Sequence, residues 1–317
     1  MAVTLEFEKP ILELEEKIAA LHRFRLEHDL DLGPGLATLD AKLPDTRRKI
    51  FASLTPWEKI QLARHPQRPH PQDYVGAMFT DYMELCGDRR YADDRAIIGG
   101  FAKLNQRPVM VIATQKGRNL KQNMEVNFGC AHPEGYRKAL RLMQLANKAR
   151  VPIISLVDTP GAYPGIAAAE RHIGESIAVN LREMFRLEVP ILCIITGEGG
   201  SGGALGICVG NRVLIMENAY YSVITPEGCA AILWRSADAI PKAAQALKLT
   251  GRDLMKLGVV DGIIPEPLGG AHHDPAGATD LLKQAIVDQL DQLCTMPGAQ
   301  LRQARYDRFR DLGVFSV

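Results

Sequence analysis

Val151-Pro-Ile-Ile-Ser-Leu-Val-Asp-Thr-Pro-Gly161 and Val189-Pro-Ile-Leu-Cys-Ile-Ile-Thr-Gly-Glu-Gly199 are two versions of one unit, the second starting 38 residues after the first. Each is an apolar, β-branched run that ends in a glycine-containing turn, the pattern of a strand buried on both faces. A helical stretch over 167–187 separates them. Strand, turn, helix and strand at this spacing predict a right-handed crossover between parallel neighbours. Strand-like runs follow at 212–219, 221–224 and 259–264. The chain therefore reads as a layered α/β domain whose strand-end loops hold the site.

Upstream, 96–104 and 108–114 are Val- and Ile-rich runs separated by Asn105-Gln-Arg107, an expected antiparallel pair. The segment 133–150 is amphipathic, with Tyr136, Ala139, Leu140, Met143 and Ala146 on one face and Arg137, Arg141, Gln144 and Lys148 on the other. The first 70 residues read as helices. Ile11, Leu14, Ile18 and Leu21 recur at helical spacing, Asp31-Leu-Gly-Pro-Gly35 breaks the pattern, and 36–50 resumes it. Thr55-Pro56-Trp57-Glu58 carries an N-cap, a proline at the first helical position and the acid that completes a capping box. The proline-rich stretch His65-Pro-Gln-Arg-Pro-His-Pro71 is expected to be an extended linker. These features divide the chain into an N-terminal helical region (1–70), an α/β domain (71–298) and a basic helical tail (299–317).

The chain has 317 residues, and 38 Lys+Arg against 37 Asp+Glu leave a formal charge of +1. Hydrophobic residues make up 46% and charged residues 24%, which excludes a mainly disordered chain. A balance so near zero argues against nucleic-acid binding as the main role, because phosphate neutralisation needs surplus Lys and Arg. No apolar run reaches the length of a membrane span, and the acidic N-terminus lacks a signal core, so a cytoplasmic protein is expected. Six cysteines with no Cys-x-x-Cys spacing read as reduced thiols, Cys193 and Cys208 in the core, and no metal set is expected.

The segment Gly197-Glu-Gly-Gly-Ser-Gly-Gly203 puts five glycines in seven residues between a strand and a helical run. Bare backbone lets N–H groups approach a ligand closely, and a helix start adds the positive end of a dipole. That suits a phosphate or an oxyanion that develops during reaction. The Lys-Ser/Thr pair of a P-loop is missing. Gly199-Gly-Ser201-Gly-Gly203 also matches the Gly-x-Ser-x-Gly nucleophile turn, with Asp261 and His272 following in triad order, so an acyl hydrolase using Ser201 stays open. The second turn, Asp158-Thr-Pro-Gly-Ala-Tyr-Pro-Gly165, is a shaped loop in which Asp158 reads as a cap or turn former and Tyr163 equally as a cleft residue or a half-exposed packing residue.

With Gln115-Lys-Gly-Arg118, Asn127-Phe-Gly129, Pro133-Glu-Gly-Tyr-Arg-Lys-Ala-Leu-Arg-Leu-Met-Gln144, Ser222-Val-Ile-Thr-Pro-Glu-Gly-Cys229 and Ile264-Pro-Glu-Pro-Leu-Gly-Gly270, these loops resemble the carboxyltransferase alpha subunit of bacterial acetyl-CoA carboxylase. The resemblance spans nearly the whole chain. It implies a crotonase/ClpP-like spiral of ββα repeats with an N-terminal helical segment. It implies a beta-subunit partner in an α2β2 assembly, and carboxybiotin brought by a biotin carboxyl carrier protein. Acetyl-CoA would be converted to malonyl-CoA. By position the amides of Gly202 and Gly203 would face the ureido oxygen of biotin, with Gly199 and Gly200 shaping the turn and Ser201, Gly161 and Tyr163 lining the substrate side. The beta subunit would hold the thioester oxyanion and a zinc ribbon. Fixed N–H donors in a dry cleft need no titrating side chain, which fits a sequence without a compelling acid–base pair.

Two departures stand out. The family's basic run after Lys-Gly-Arg is here Asn119-Leu-Lys-Gln-Asn-Met-Glu-Val126, and its Gly-Gln after Glu-Arg is here His172-Ile173. The first weakens any contact there with CoA phosphates or nucleic acid, and together they suggest a specialised copy with altered inhibitor sensitivity. A third reading, a non-catalytic assembly or RNA-binding subunit, rests on the tail residues Arg302, Arg305, Arg308 and Arg310.

Overall fold

The computed structural model describes residues 4–28 and 33–314. An eight-stranded sheet organises them. β1 (Thr80–Glu84), β2 (Ile97–Leu104) and β3 (Arg107–Thr114) run antiparallel at one end. Asn105 and Gln106 close the β2–β3 hairpin with positive φ at both central residues, the two-residue turn whose twist suits a hairpin. From β3 the sheet continues in parallel through β4 (Ile153–Thr159), β5 (Ile191–Gly200) and β6 (Arg212–Met216). β7 (Tyr220–Ser222) pairs with the far end of β5, and β8 (Gly262–Ile264) adds to β6. The sequence repeat is also the pairing register: Ile153 faces Ile191 and Val157 faces Ile195. The register slips after Val157, so Thr159 faces Gly199 and the two turns begin side by side.

Helices α1 (Lys9–His28) and α2 (Gly33–Ala52) lie together, Arg47 pairing with Glu15. The expected break overlaps residues 29–32, outside those described. In α3 (Pro56–Ala63) the capping box forms as read: Thr55 Oγ1 accepts the Glu58 amide, and Glu58 accepts the Thr55 amide at 2.7 Å. The proline-rich stretch is not an extended linker. Arg68 is 1% exposed, donates to the Thr196 carbonyl at 2.9 Å and grips Glu266 at 2.6 and 3.0 Å. A buried guanidinium needs such partners, and only the sheet domain supplies them. α4 (Pro71–Met78) then starts on the last proline of the run.

After α5 (Leu120–Glu125), the amphipathic segment forms α6 (Pro133–Ala149). Leu142 is buried where Leu140 was expected, and Lys138 is buried with its ammonium on Asp93 (2.6 Å) and the Asp94 carbonyl (2.8 Å). The single crossover helix expected over 167–187 is two, α7 (Ile166–Glu170) and α8 (Ile173–Met184). The break falls at His172, which takes φ 63° and ψ 56°. That left-handed conformation is where a glycine is at ease and a side chain is not. The 212–219 run ends as β6 at Met216, and the last strand covers only Gly262–Ile264.

The tail is not a free basic surface. Beyond α9 (Ser201–Leu205), α10 (Pro226–Leu233), α11 (Ile240–Ala246), α12 (Gly251–Lys256) and α13 (Pro275–Leu293), the last helix is α14 (Gly298–Arg310). Arg305 is fully buried and donates to the carbonyls of Met184, Leu187 and Val189 and to Asn211 Oδ1. Arg308 pairs with Asp261 at 2.9 Å, and Arg302 with Glu188 at 3.2 Å. Three of the four arginines are thus committed within the chain. Cys193 and Cys208 are buried in the main core. Among the described residues, no helix is long and apolar enough to cross a membrane.

Candidate active site

The site forms where β4 and β5 end together. β5 runs straight into α9, so the amides of Gly202 and Gly203 fall in the first turn, where no carbonyl of the helix can reach them. The Tyr136 hydroxyl donates to the Gly203 carbonyl at 3.2 Å, and the Asn180 amide donates to the Tyr136 and Gly206 carbonyls at 2.9 Å each. α6 and α8 therefore fix α9 through buried polar bonds. Ser201 sits at φ 49°, exposed at the start of the helix.

Glycine is required here by approach. A methyl group on Gly203 would lie 2.3 Å from the Gly161 carbonyl carbon. On Gly202 it would meet nothing nearer than Ile177, at 3.6 Å. Gly203 lets the two turns press together, and Gly202 leaves open space beside its Cα. The second turn is held by Thr159 Oγ1, which donates to the Gly129 carbonyl (2.7 Å) and accepts the Gly161 amide (3.1 Å). The Tyr163 ring stacks on His132 at 4.1 Å. A cavity of about 340 Å³ opens beside Ser201 and Gly202, with Leu205, Leu247, Leu254, Leu257 and Val259 among its walls.

The expected triad does not assemble. Asp261 accepts the Val213 amide and pairs with Arg308, at the opposite end of β6 from the glycine turn. His272 donates from Nε2 to Glu8 at 3.0 Å and stacks on His65. Both side chains are thus used to fasten the tail and the N-terminal segment, and neither bonds to Ser201. Glu8, His65 and His272 lie close enough to suggest a metal set. As they stand, His272 Nε2 bonds to Glu8, and His65 accepts the Gln67 amide on Nδ1. The cluster is a hydrogen-bonded clasp, and the ionised Glu8 is favoured, its carboxyl lowered by His272 and the Leu5 amide against the opposing effect of burial.

Asp158 is neither a cap nor a free acid. It is buried, accepts the Glu198 amide at 2.8 Å and takes the Lys116 ammonium at 2.6 Å. Lys116 also reaches Glu198 at 2.7 Å, and Arg64 and the Tyr220 hydroxyl hold the other Glu198 oxygen at 2.7 and 2.5 Å. Burial works against this carboxylate, but Lys116 and Arg64 outweigh it and hold its pKa near 2. The sequence reading passed over Glu198, Lys116 and Arg64. The available signal was an acid inside a glycine turn after a buried strand, which cannot stay unpaired there.

The departing segment 119–126 is a short capped helix. Asn119 accepts the Gln122 amide at 3.0 Å, and Glu125 pairs with Arg95 at 3.3 Å.

Residues 4–313 match the family model described as acetyl co-enzyme A carboxylase carboxyltransferase-like. The acetyl-coenzyme A carboxylase carboxyl transferase subunit alpha of Synechocystis sp. is 53% identical over 311 residues, covering 98% of this chain and 95% of its own. The protein of the same name from Nostoc sp. is 50% identical over 312 residues, covering 98% and 96%. Among solved structures, transcarboxylase 12S with methylmalonyl-coenzyme A superposes with a TM-score of 0.58 at 22% identity, over 72% of this chain and 42% of that one. The Pseudomonas malonate decarboxylase hetero-dimer gives 0.56 at 16% identity, over 70% and 92%. The beta subunit of P. aeruginosa geranyl-CoA carboxylase gives 0.54 at 16%, over 83% and 47%. These likenesses bear out the crotonase-like fold.

Proposed function

Because the chain belongs to the family of acetyl-CoA carboxylase carboxyltransferase alpha subunits, we propose that the turn from Gly197 to Gly203 is the biotin side of its active site. The protein works with a beta subunit to transfer a carboxyl group to acetyl-CoA, giving malonyl-CoA for fatty acid synthesis. Carboxybiotin, when bound, supplies that carboxyl group. The observation that carries the site assignment is the pair of amides at Gly202 and Gly203 at a helix start, with Gly202 lining an apolar cavity. Leu205, Leu247 and Leu254 offer the cavity wall on which an apolar ring system would rest. The two N–H groups offer fixed donors to a urea oxygen, where charge collects as the carboxyl group leaves. Gly199 and Gly200 shape the turn, Gly161 and Tyr163 complete its rim, and Ser201 is a rim residue rather than a nucleophile.

We extend the same reading to the assembly. An α2β2 complex in the cytoplasm, served by a biotin carboxyl carrier protein, is the expected working form. The 1–70, 71–298 and 299–317 segments are proposed as its three parts. The clamps of Arg64, Arg68 and Arg305 support treating the outer two as braces on the central one. The test mixes the chain with a beta subunit, free biotin and malonyl-CoA. Malonyl-CoA-dependent carboxylation of biotin is expected from the mixture and from neither subunit alone. Turnover by this chain alone, abolished by Ser201→Ala, would overturn the reading.

A further inference from the structure

Lys116, Asp158 and Glu198 lie at or just beyond the C-terminal ends of three neighbouring parallel strands, β3, β4 and β5. The Lys116 ammonium sits 2.6 Å from Asp158 Oδ1 and 2.7 Å from Glu198 Oε1, and the three side chains are 14%, 2% and 8% exposed. Asp158 opens one turn of the site and Glu198 lies inside the other. The stem of Lys116 is itself confined, since a methyl group on Gly129 would come within 2.9 Å of its Cγ. Arg64 ties the same Glu198 to α3 and, through Glu227, to α10.

We propose that Lys116 is a positioning residue, its ammonium fastening the Asp158 turn to the glycine turn and so setting where the amides of Gly202 and Gly203 stand. This rests on the site assignment made above. Lys116 bonds to neither Gly202 nor Gly203, so it acts through the two turns. Its removal leaves two buried carboxylates facing each other without their shared cation, and like charges at that range push apart. The turns then separate. A displacement near 1 Å is enough to cost about 100-fold in rate.

The experiment uses the complete complex with the beta subunit and compares wild type, Lys116→Met and Lys116→Met/Glu198→Gln. In Lys116→Met, kcat per assembled complex for malonyl-CoA-dependent biotin carboxylation is expected to fall about 100-fold, with KM for malonyl-CoA little changed. Adding Glu198→Gln should restore about tenfold at pH 8 by removing the repulsion. Amide hydrogen exchange in the free chain should quicken in 158–165 and 197–203 together and stay unchanged in the β2–β3 hairpin. A kcat within about threefold of wild type, or a loss that only follows the unassembled fraction, would overturn the proposal. If the wild-type complex carries out no transfer, the site assignment falls instead. Exchange then decides Lys116, and unaltered exchange in both turns refutes it.

Discussion

Gly202 and Gly203 divide two tasks that one turn performs, and substitution separates them. Alanine at 203 would place its methyl 2.3 Å from the Gly161 carbonyl carbon, so the turns must part and the fold is disturbed along with the site. Alanine at 202 has room, 3.6 Å from Ile177, yet its methyl takes up space where Gly202 lines the cavity. Gly202→Ala is expected to leave the thermal midpoint within about 2 °C and lower kcat by about tenfold or more. Gly203→Ala should lower both, as read by calorimetry and by the biotin carboxylation assay. A Gly202→Ala enzyme with full activity would remove that amide from the site. The glycines were legible in sequence because so many in seven residues cannot serve packing. The ion cluster beneath them was not, because Arg64, Lys116, Asp158 and Glu198 lie as far as 134 residues apart and meet only at the strand ends.

At the scale of elements, the strand repeat, the hairpin, the helix over 133–149 and the capping box followed from periodicity and caps, which are local signals. Two of the misreadings have a common cause. The proline run and the basic tail were each judged by composition, and each is decided by a tertiary partner. Arg68 makes the proline run a fixed corner and Arg305 turns a charged tail into a plug, whereas the crossover splits locally at His172. α14 should therefore matter to stability rather than to nucleic acid. Arg305→Met strands the carbonyls of Met184, Leu187 and Val189 in a dry environment. It is expected to cost on the order of 3 kcal/mol by denaturant unfolding, with no change in RNA retention at low salt. A stable variant that lost RNA binding would restore the tail as a basic surface.

The whole molecule is fastened across its layers by buried carboxylates, and this sets its acid response. Burial opposes the ionised forms of Glu198 and Glu266. Lys116 and Arg64 prevail at the first, and Arg68 at the second, and each carboxyl is held at about 2. A folded pKa below the unfolded value gives stability that is full above about pH 5 and is lost as pH falls towards 2. Each group carries up to about 3 kcal/mol of it. The urea midpoint should therefore be flat from pH 7 to about pH 5 and drop steeply below pH 4. A Glu266→Gln/Arg68→Met variant should show a shallower drop. An acid response unchanged in that variant would place the linkage elsewhere. The sequence by itself determined the parallel core, the glycine turns and the family, because apolar periodicity, backbone freedom and ordered motifs are written along the chain. The tertiary structure alone decided which charges meet, that Ser201, Asp261 and His272 stay apart, and that both ends of the chain brace the centre. Pairings between distant buried charges depend on how the strands are brought side by side, and no local spacing encodes that.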